Sequence, residues 1–203
     1  MKVSKAKAAA HRAALLGAAC RLLRARGLVG VGIAEIAAEA GLTHGAFYTH
    51  FASKEALCAE AIAAMVAESQ AGLRGAADLD AYLAAYFSPQ HARQVGEGCP
   101  LAALIGDVGR DGGGARRAFS SGLGRVIDAL ADRQVGEVGG RSACRAAAIA
   151  LLAGMIGGLT MARSVGPAAS AEILAAMRTS LKQPKAKRAL PRRRSARVPT
   201  RRK

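Results

Sequence analysis

The chain has 203 residues, enough for one or two domains with a buried core, and carries a formal net charge of +16. Hydrophobic residues make up 51% but aromatic ones only 3%, with no Trp, so Ala and Leu supply most of the apolar surface. No sustained run of alternating β-branched residues occurs; helix propensity therefore dominates, and the pattern excludes a β architecture in favour of an all-α one.

The charge is unevenly placed. From Lys182 onward there are eleven Lys and Arg and no acid; removing those eleven from the 30 Lys and Arg leaves 19 against 14 Asp and Glu. A second basic cluster, Lys2, Lys5, Lys7, Arg12, Arg21, Arg24 and Arg26, precedes the first acid, Glu35. Two basic segments on a modestly charged body point to a polyanionic partner, with simple solubility as the plainer alternative. Cys20, Cys58, Cys99 and Cys144 show no CxxC spacing, so a zinc finger or a thioredoxin-like motif is not indicated. With no signal peptide at the start, the expected compartment is the reducing cytoplasm.

In chain order, residues 1 to about 10 read as basic and frayed. A first helix follows, with Leu15, Ala18, Ala19, Leu22 and Leu23 on one face and Gly27 as its stop. A short second helix carries Ile33, Ile36, Ala37 and Ala40 and ends at Gly41. A third opens at Thr43, a good N-cap, and turns Phe47 and Phe51 inward. A fourth starts from Ser53 with Glu55 in its first turn and runs through Leu57, Ala61, Ala64 and Met65 towards Gly72. Asp78 caps a short helix ending before Pro89, and Pro100 opens another that runs to about Gly109. After a break at residues 111–114, a helix with Phe119, Leu123, Val126, Ile127 and Leu130 reaches about Arg133. A loop at 136–140, an apolar helix Ser142–Ser164 and a last helix Ser170–Leu181 complete about nine helices. The apolar stretch Ala146–Ala162 falls short of the roughly 20 residues a membrane span needs and reads as a buried helix, with no membrane role. Residues 183–203 lack a core-forming pattern and are expected to be a disordered basic tail.

The sharpest motif is Ile33–Phe51, IAEIAAEAGLTHGAFYTHF. Small Ala37 and Ala40 allow two helices to cross closely, Gly41 can take the left-handed conformation of a tight turn, and Leu42 and Phe47 lock the second helix onto Ile36. Outward positions are Thr43, His44, Gly45, Ala46, Tyr48, Thr49 and His50, polar or small, as a surface entering a groove about 12 Å wide requires. The exposed amides beside Thr43 can also hold a phosphate. The plainer alternative is a helical hairpin with a polar outer face.

The segment Arg12–Leu57 resembles the DNA-binding domain of the TetR/AcrR (tetracycline-repressor-like) family. The resemblance rests on Ile36-Ala37, Ala40-Gly41-Leu42-Thr43, Gly45-Ala46-Phe47-Tyr48, His50-Phe51 and Ser53-Lys54-Glu55-Ala56-Leu57, about a quarter of the chain. It implies phosphate contacts from Tyr48, His50 and Lys54, and base or nearby phosphate contacts from Thr43, His44, Gly45, Ala46 and Thr49. Gly32 departs from the usual Ser or Thr cap of the second helix, so a phosphate contact common there is in doubt.

The same resemblance implies a three-helix DNA-binding domain over residues 1–53 and a ligand-binding and dimerisation domain over 54–182. The function it implies is that of a repressor, released from a palindromic operator by a small-molecule inducer. The last two helices would pair with those of a second subunit, with Gly154, Gly157 and Gly158 allowing close contact and Leu151, Leu152, Ile156, Leu159 and Met161 giving apolar area. Candidate ligand-lining residues, chosen by region, are Tyr82, Tyr86, Phe87, Cys99, Leu101 and Leu104. Cys99 stands near a helix N-terminus, where a thiol can be activated, and the resemblance allows a sensing role; a structural cysteine is the plainer alternative.

An enzyme is not indicated. The glycine run 112–114 lacks the Lys-Ser/Thr of a P-loop, His11, His44, His50 and His91 show no HExxH spacing, and no GxSxG occurs. No cofactor or metal site is expected. A chromatin-like architectural protein would account for the basic tail but not for the helix-turn-helix segment.

Overall fold

The computed structural model describes residues 4–110, 113–134 and 140–181; the loop expected at 136–140, but for Gly140, and the tail expected at 183–203 lie outside the described residues. Among the described residues there are ten α-helices, one 3-10 turn at Val95–Glu97 and no strand. The helices are α1 Lys5–Arg26, α2 Ile33–Glu39, α3 His44–Phe47, α4 Lys54–Gly75, α5 Leu79–Tyr86, α6 Pro89–Arg93, α7 Pro100–Arg110, α8 Gly114–Asp132, α9 Arg141–Arg163 and α10 Pro167–Ser180.

Three features differ from the sequence reading, each for a local reason; one is α10, which begins at Pro167 rather than Ser170 because proline suits the first position of a helix. The first helix begins at Lys5 rather than near residue 10, because the Ser4 hydroxyl accepts the Lys7 N–H at 3.3 Å and an Ala-rich run continues the helix from there. The tenth helix arises at Pro89. That proline ends α5's segment but also serves as the first residue of α6, where the Ser88 hydroxyl accepts the His91 N–H at 3.1 Å. Asp78, Thr43 and Ser53 act as N-caps, as their residue types lead one to expect.

The core runs through the whole bundle. Leu15, Ala18, Ala19 and Leu23 of α1 meet Ile36 and Ala37 of α2, Phe47 of α3 and Leu57, Ala61, Ile62 and Met65 of α4, all fully buried. α4 packs most extensively on α8, and α9 on α8 and α10. α4 and α9 are long and apolar enough, by length and composition, to cross a membrane. Each instead lays one face in this core, α4 through Leu57, Met65 and Leu73 and α9 through Ala148, Leu152 and Leu159.

The α9 glycines take a different part from the one read in the sequence. A Cβ on Gly154 would meet the Leu181 side chain at 3.1 Å, and one on Gly158 would meet Met177 Cγ at 2.6 Å and Phe87 Cε1 at 3.1 Å. Both therefore admit α10 and Phe87 of their own subunit. Leu152 and Ile156 are likewise buried within the subunit, at 4% and 9% exposure. Of the three glycines only Gly157 faces open space. Gly158→Ala should accordingly lower stability in urea by about 1–3 kcal/mol through overpacking. Gly124→Ala, mid-helix with nothing within 4 Å of the added methyl, should leave it unchanged or raise it by up to about 1 kcal/mol.

Candidate nucleic-acid interface and an adjoining cavity

The turn between α2 and α3 is set by the backbone at Gly41. Its φ is +69°, a conformation costly for a side chain, and the space around it is open, so conformation and not crowding demands glycine. The turn closes by Gly41 N–H to Ala38 O at 2.9 Å and Leu42 N–H to Ala37 O at 2.8 Å. α3 is a single turn whose N-cap, Thr43, accepts the Ala46 N–H at 3.3 Å. A helix this short is not stable by itself; tertiary packing holds it. Phe47 is fully buried and stacks on Phe51 with ring centroids 5.8 Å apart. The Arg12 guanidinium of α1 lies 4.6 Å from the Phe51 ring centre and donates to both Glu60 oxygens at 2.6 Å.

That anchorage leaves one polar face outward. Thr43, His44, Gly45, Tyr48 and Thr49 are exposed, and Ala46, His50 and Lys54 half-buried. Tyr48 is 55% exposed, its ring edge-on to His44 at 5.5 Å and to the buried Phe47 at 5.1 Å, which fixes its direction. The Thr49 hydroxyl donates to Ala46 O at 2.7 Å, so its oxygen lone pairs are what it can offer a partner's N–H. Thr43 is the converse: its oxygen accepts within the cap and its hydrogen remains to donate. His50 lies edge-on to His11 at 6.0 Å, and Lys54 opens α4 four residues after His50. Gly32 caps α2 with extended backbone (φ −97°, ψ 158°) and no side-chain bond.

The N-terminal basic cluster is largely spent within the protein. Arg12 pairs with Glu60, Arg21 with Glu39 at 3.1 Å, Arg24 with Glu68 and Arg26 with Glu35. Lys5 and Lys7 are exposed; Lys2 lies outside the described residues. Spacing alone did not reveal these pairings, because each acid sits on another helix or beyond a turn.

Behind α1, a cavity of about 260 Å³ opens among α1, α4, α5, α6 and the 3-10 turn. Tyr82, Tyr86 and Cys99 stand in its wall, together with Arg24, Glu68, Glu97 and His91. Phe87, Leu101 and Leu104 do not line it; they are core residues at 2%, 2% and 0% exposure. Arg24 and His91 were missed in the sequence. The available signal was that Arg24 continues the row Leu16, Cys20, four residues apart, along the flank of the buried stripe, and both of those pack against the core.

His91 joins two walls of the cavity. Its Nε2 accepts the Cys99 N–H at 3.1 Å, so the proton sits on Nδ1, which donates to Tyr86 O at 2.6 Å. Burial lowers the pKa of this imidazole; the bond to the Tyr86 carbonyl works against that, and nearby Arg163 adds to it. Tyr82 and Tyr86 are pushed up by burial and then by the neighbouring Cys99, so both stay neutral. The folded state thus prefers a neutral His91, while the unfolded chain takes up a proton near its ordinary value of 6.5. Stability should be full above that pH and fall as pH drops below it. Thermal midpoints between pH 8 and pH 5 should show this decline, and His91→Asn should flatten it.

Residues 15–61 match the family model of bacterial regulatory proteins of the tetR family. No curated protein matches the chain in sequence. Among solved structures it is similar to the reduced form of NemR from Escherichia coli, at 24% identity and a TM-score of 0.71 over 85% of this chain and 95% of that one. It is also similar to a TetR-family transcriptional regulator from Agrobacterium tumefaciens, at 20% identity and a TM-score of 0.71 over 85% and 98%. A third likeness is to a transcriptional regulator structure from Pseudomonas aeruginosa, at 28% identity and a TM-score of 0.61 over 84% and 89%. Residues 15–61 thus carry the pattern of the tetR family model, within a helical fold like that of TetR-family transcriptional regulators.

Proposed function

We propose that this protein is a sequence-specific, homodimeric transcriptional regulator, a cytoplasmic repressor that leaves a palindromic operator when a small molecule enters the cavity behind α1. The observation that carries the reading is the outward face of α3. It holds small and polar residues on a turn fixed from behind by Phe47 and Phe51, within a segment that matches the tetR family model. Thr43, His44, Gly45, Ala46 and Thr49 would meet base edges or nearby phosphates, and Tyr48, His50 and Lys54 phosphates.

A single turn of helix reads few bases, so specificity calls for a second copy one helical turn along the duplex. The face of α9 that its own subunit leaves uncovered is suited to that contact. Ile149 is 47% exposed, and Ala153, Gly157 and Met161 follow it at four-residue intervals along the same side. A change in how two such subunits pack would alter the separation of their recognition helices, which is the form release by a ligand would take.

Sites selected from a random DNA pool should be palindromic. Tyr48→Ala should weaken binding to them by about tenfold, the worth of one hydrogen bond to a charged group. Lys54→Ala should lower the slope of log affinity against log salt by about 0.9. Wild-type affinity in the double variant, with helical circular dichroism intact, would remove the DNA reading. Ile149→Glu should shift sedimentation from dimer to monomer without loss of helix, whereas Leu152→Glu should unfold the subunit, because Leu152 faces the subunit's own core.

A further inference from the structure

Of the charged side chains that the described residues bury, Arg24 is the outstanding one, at 5% exposure, and it lies in the cavity wall. It comes from α1. Its Nη2 donates to Glu68 of α4 at 2.6 Å, and its Nη1 to Gly96 O at 3.1 Å, with the Glu97 carboxylate at 3.8 Å. The partners are unequal to it in burial: the Glu68 and Glu97 side chains are 70% and 60% exposed. Its Nε has no hydrogen-bond partner and no opening to solvent; the Tyr86 hydroxyl in the same wall is equally buried, with only the weakly accepting Cys99 thiol beside it. Two buried donors in one cavity wall therefore lack an oxygen acceptor, which is costly unless something supplies one.

The other polar groups of the wall are already matched. Both His91 nitrogens and the Cys99 N–H are used in the bonds described above. The Ser69 hydroxyl donates to Met65 O at 3.1 Å, and the remaining lining is Gly72, Gly98, Ala85 and the Tyr82 and Tyr86 rings. Negative charge is already present at the Arg24 end, from Glu68 and Glu97; what the wall lacks is an oxygen acceptor for the Arg24 Nε and the Tyr86 hydroxyl, beside a flat apolar surface. A cation is disfavoured there, because the two glutamates that would hold it already face a guanidinium.

We propose that the cavity binds a small aromatic monocarboxylate, whose carboxylate takes the place of Glu68 on Arg24 and accepts from Arg24 and the Tyr86 hydroxyl. The exchange conserves charge around the guanidinium, and the displaced Glu68, already largely exposed, moves into water at little desolvation cost. A planar carboxylate suits the planar fork of Arg24, and a volume of about 260 Å³ accommodates a single-ring acid. This rests on the reading of the protein as a ligand-responsive regulator, and it makes Arg24 the group through which the occupied cavity touches α1.

The test is calorimetric titration of the full-length protein, free of DNA, with benzoate, benzamide and benzylamine. Benzoate should bind and the other two at least about tenfold more weakly, as expected for loss of a charge-assisted pair. Tyr86→Phe, which keeps the ring and removes only the hydroxyl, should weaken benzoate by a few-fold or more, and Arg24→Gln should abolish its advantage over benzamide. Equal binding of benzoate and benzamide, tighter binding of benzylamine, or no heat with any of the three would overturn the proposal. So would full benzoate affinity in Tyr86→Phe, a variant that remains informative even if Arg24→Gln fails to fold. Because no DNA is present, these outcomes are separate from those of the operator experiment. Benzoate binding that leaves operator affinity unchanged would count against the regulator reading and not against the site.

Discussion

A guanidinium taken out of water at the end of α1 imposes the main constraint on how the two halves of this chain join. A buried charge is tolerated only where counter-charge and hydrogen-bond acceptors surround it, and Arg24 finds these on α4 and on the 3-10 turn that precedes α7. The DNA-binding segment therefore cannot swing freely against the rest. A further polar tie crosses the same boundary, and another joins α4 to α8. Asp107 of α7 accepts the Leu28 N–H at 2.8 Å just beyond the end of α1, and Glu55 accepts the Gly114 N–H at 2.6 Å at the start of α8. Each satisfies a backbone donor at a helix end that would otherwise lack a partner. The reading head is one corner of a continuous core, fixed by charge where apolar packing gives out.

Aromatic residues are scarce, four Phe and three Tyr, and their placement divides the protein's tasks. Phe47, Tyr48 and Phe51 form one contiguous group that shapes the outward face of α3. Tyr82, Tyr86 and Phe87 form another, between α5 and the cavity, and Phe119 of α8 stands apart in the core. The helical scaffold between them is made almost wholly of Ala, Leu, Val, Ile, Met and Gly, which pack closely without directional demands. Apart from Phe119, the aromatic rings are thus kept for the two places where a surface must hold a defined shape.

What the sequence made legible follows from the range over which each signal acts. Helix caps, the Gly41 turn and the inward Phe47–Phe51 pair are local, within about four residues, and the structure has them where the pattern puts them. Helix existence was equally legible, apart from α6, where one proline ends a segment and begins another. Pairing across helices was not. The N-terminal arginines read as a patch for a polyanion, yet Arg12, Arg21, Arg24 and Arg26 each meet a glutamate, from Glu35 nearby to Glu68 on α4. The α9 glycines read as a partner-facing seam because spacing gives a helix's faces but not which neighbour each face meets; α10 and Phe87 occupy the faces of Gly154 and Gly158. The cavity wall was half-visible, through Tyr82, Tyr86 and Cys99. Its charged side comes from α1, distant in sequence and credited there to another role.

α1 and α4 each run from the reading head to the cavity, and this shared course bears on how the two sites can influence each other. On α4, Glu55 holds the start of α8 and Glu68 holds Arg24, thirteen residues or about 20 Å apart along a continuous helix. On α1, Arg12 lids Phe51 while Arg24 enters the cavity wall, at much the same separation. A helix is stiff over such a distance, so a change in the Arg24–Glu68 pair reaches the Phe51 and Glu55 ends as a rigid shift of two neighbouring elements. Dissipation within a loop is avoided. On the proposed reading, any coupling carried this way must be reciprocal. A molecule that lowers DNA affinity by acting on Arg24 is itself bound more weakly, by the same factor, when DNA holds α3 in place. The strength of that coupling is bounded by the difference in how well Arg24 is satisfied in the two states, which is the free energy of one buried ion pair and its hydrogen bonds.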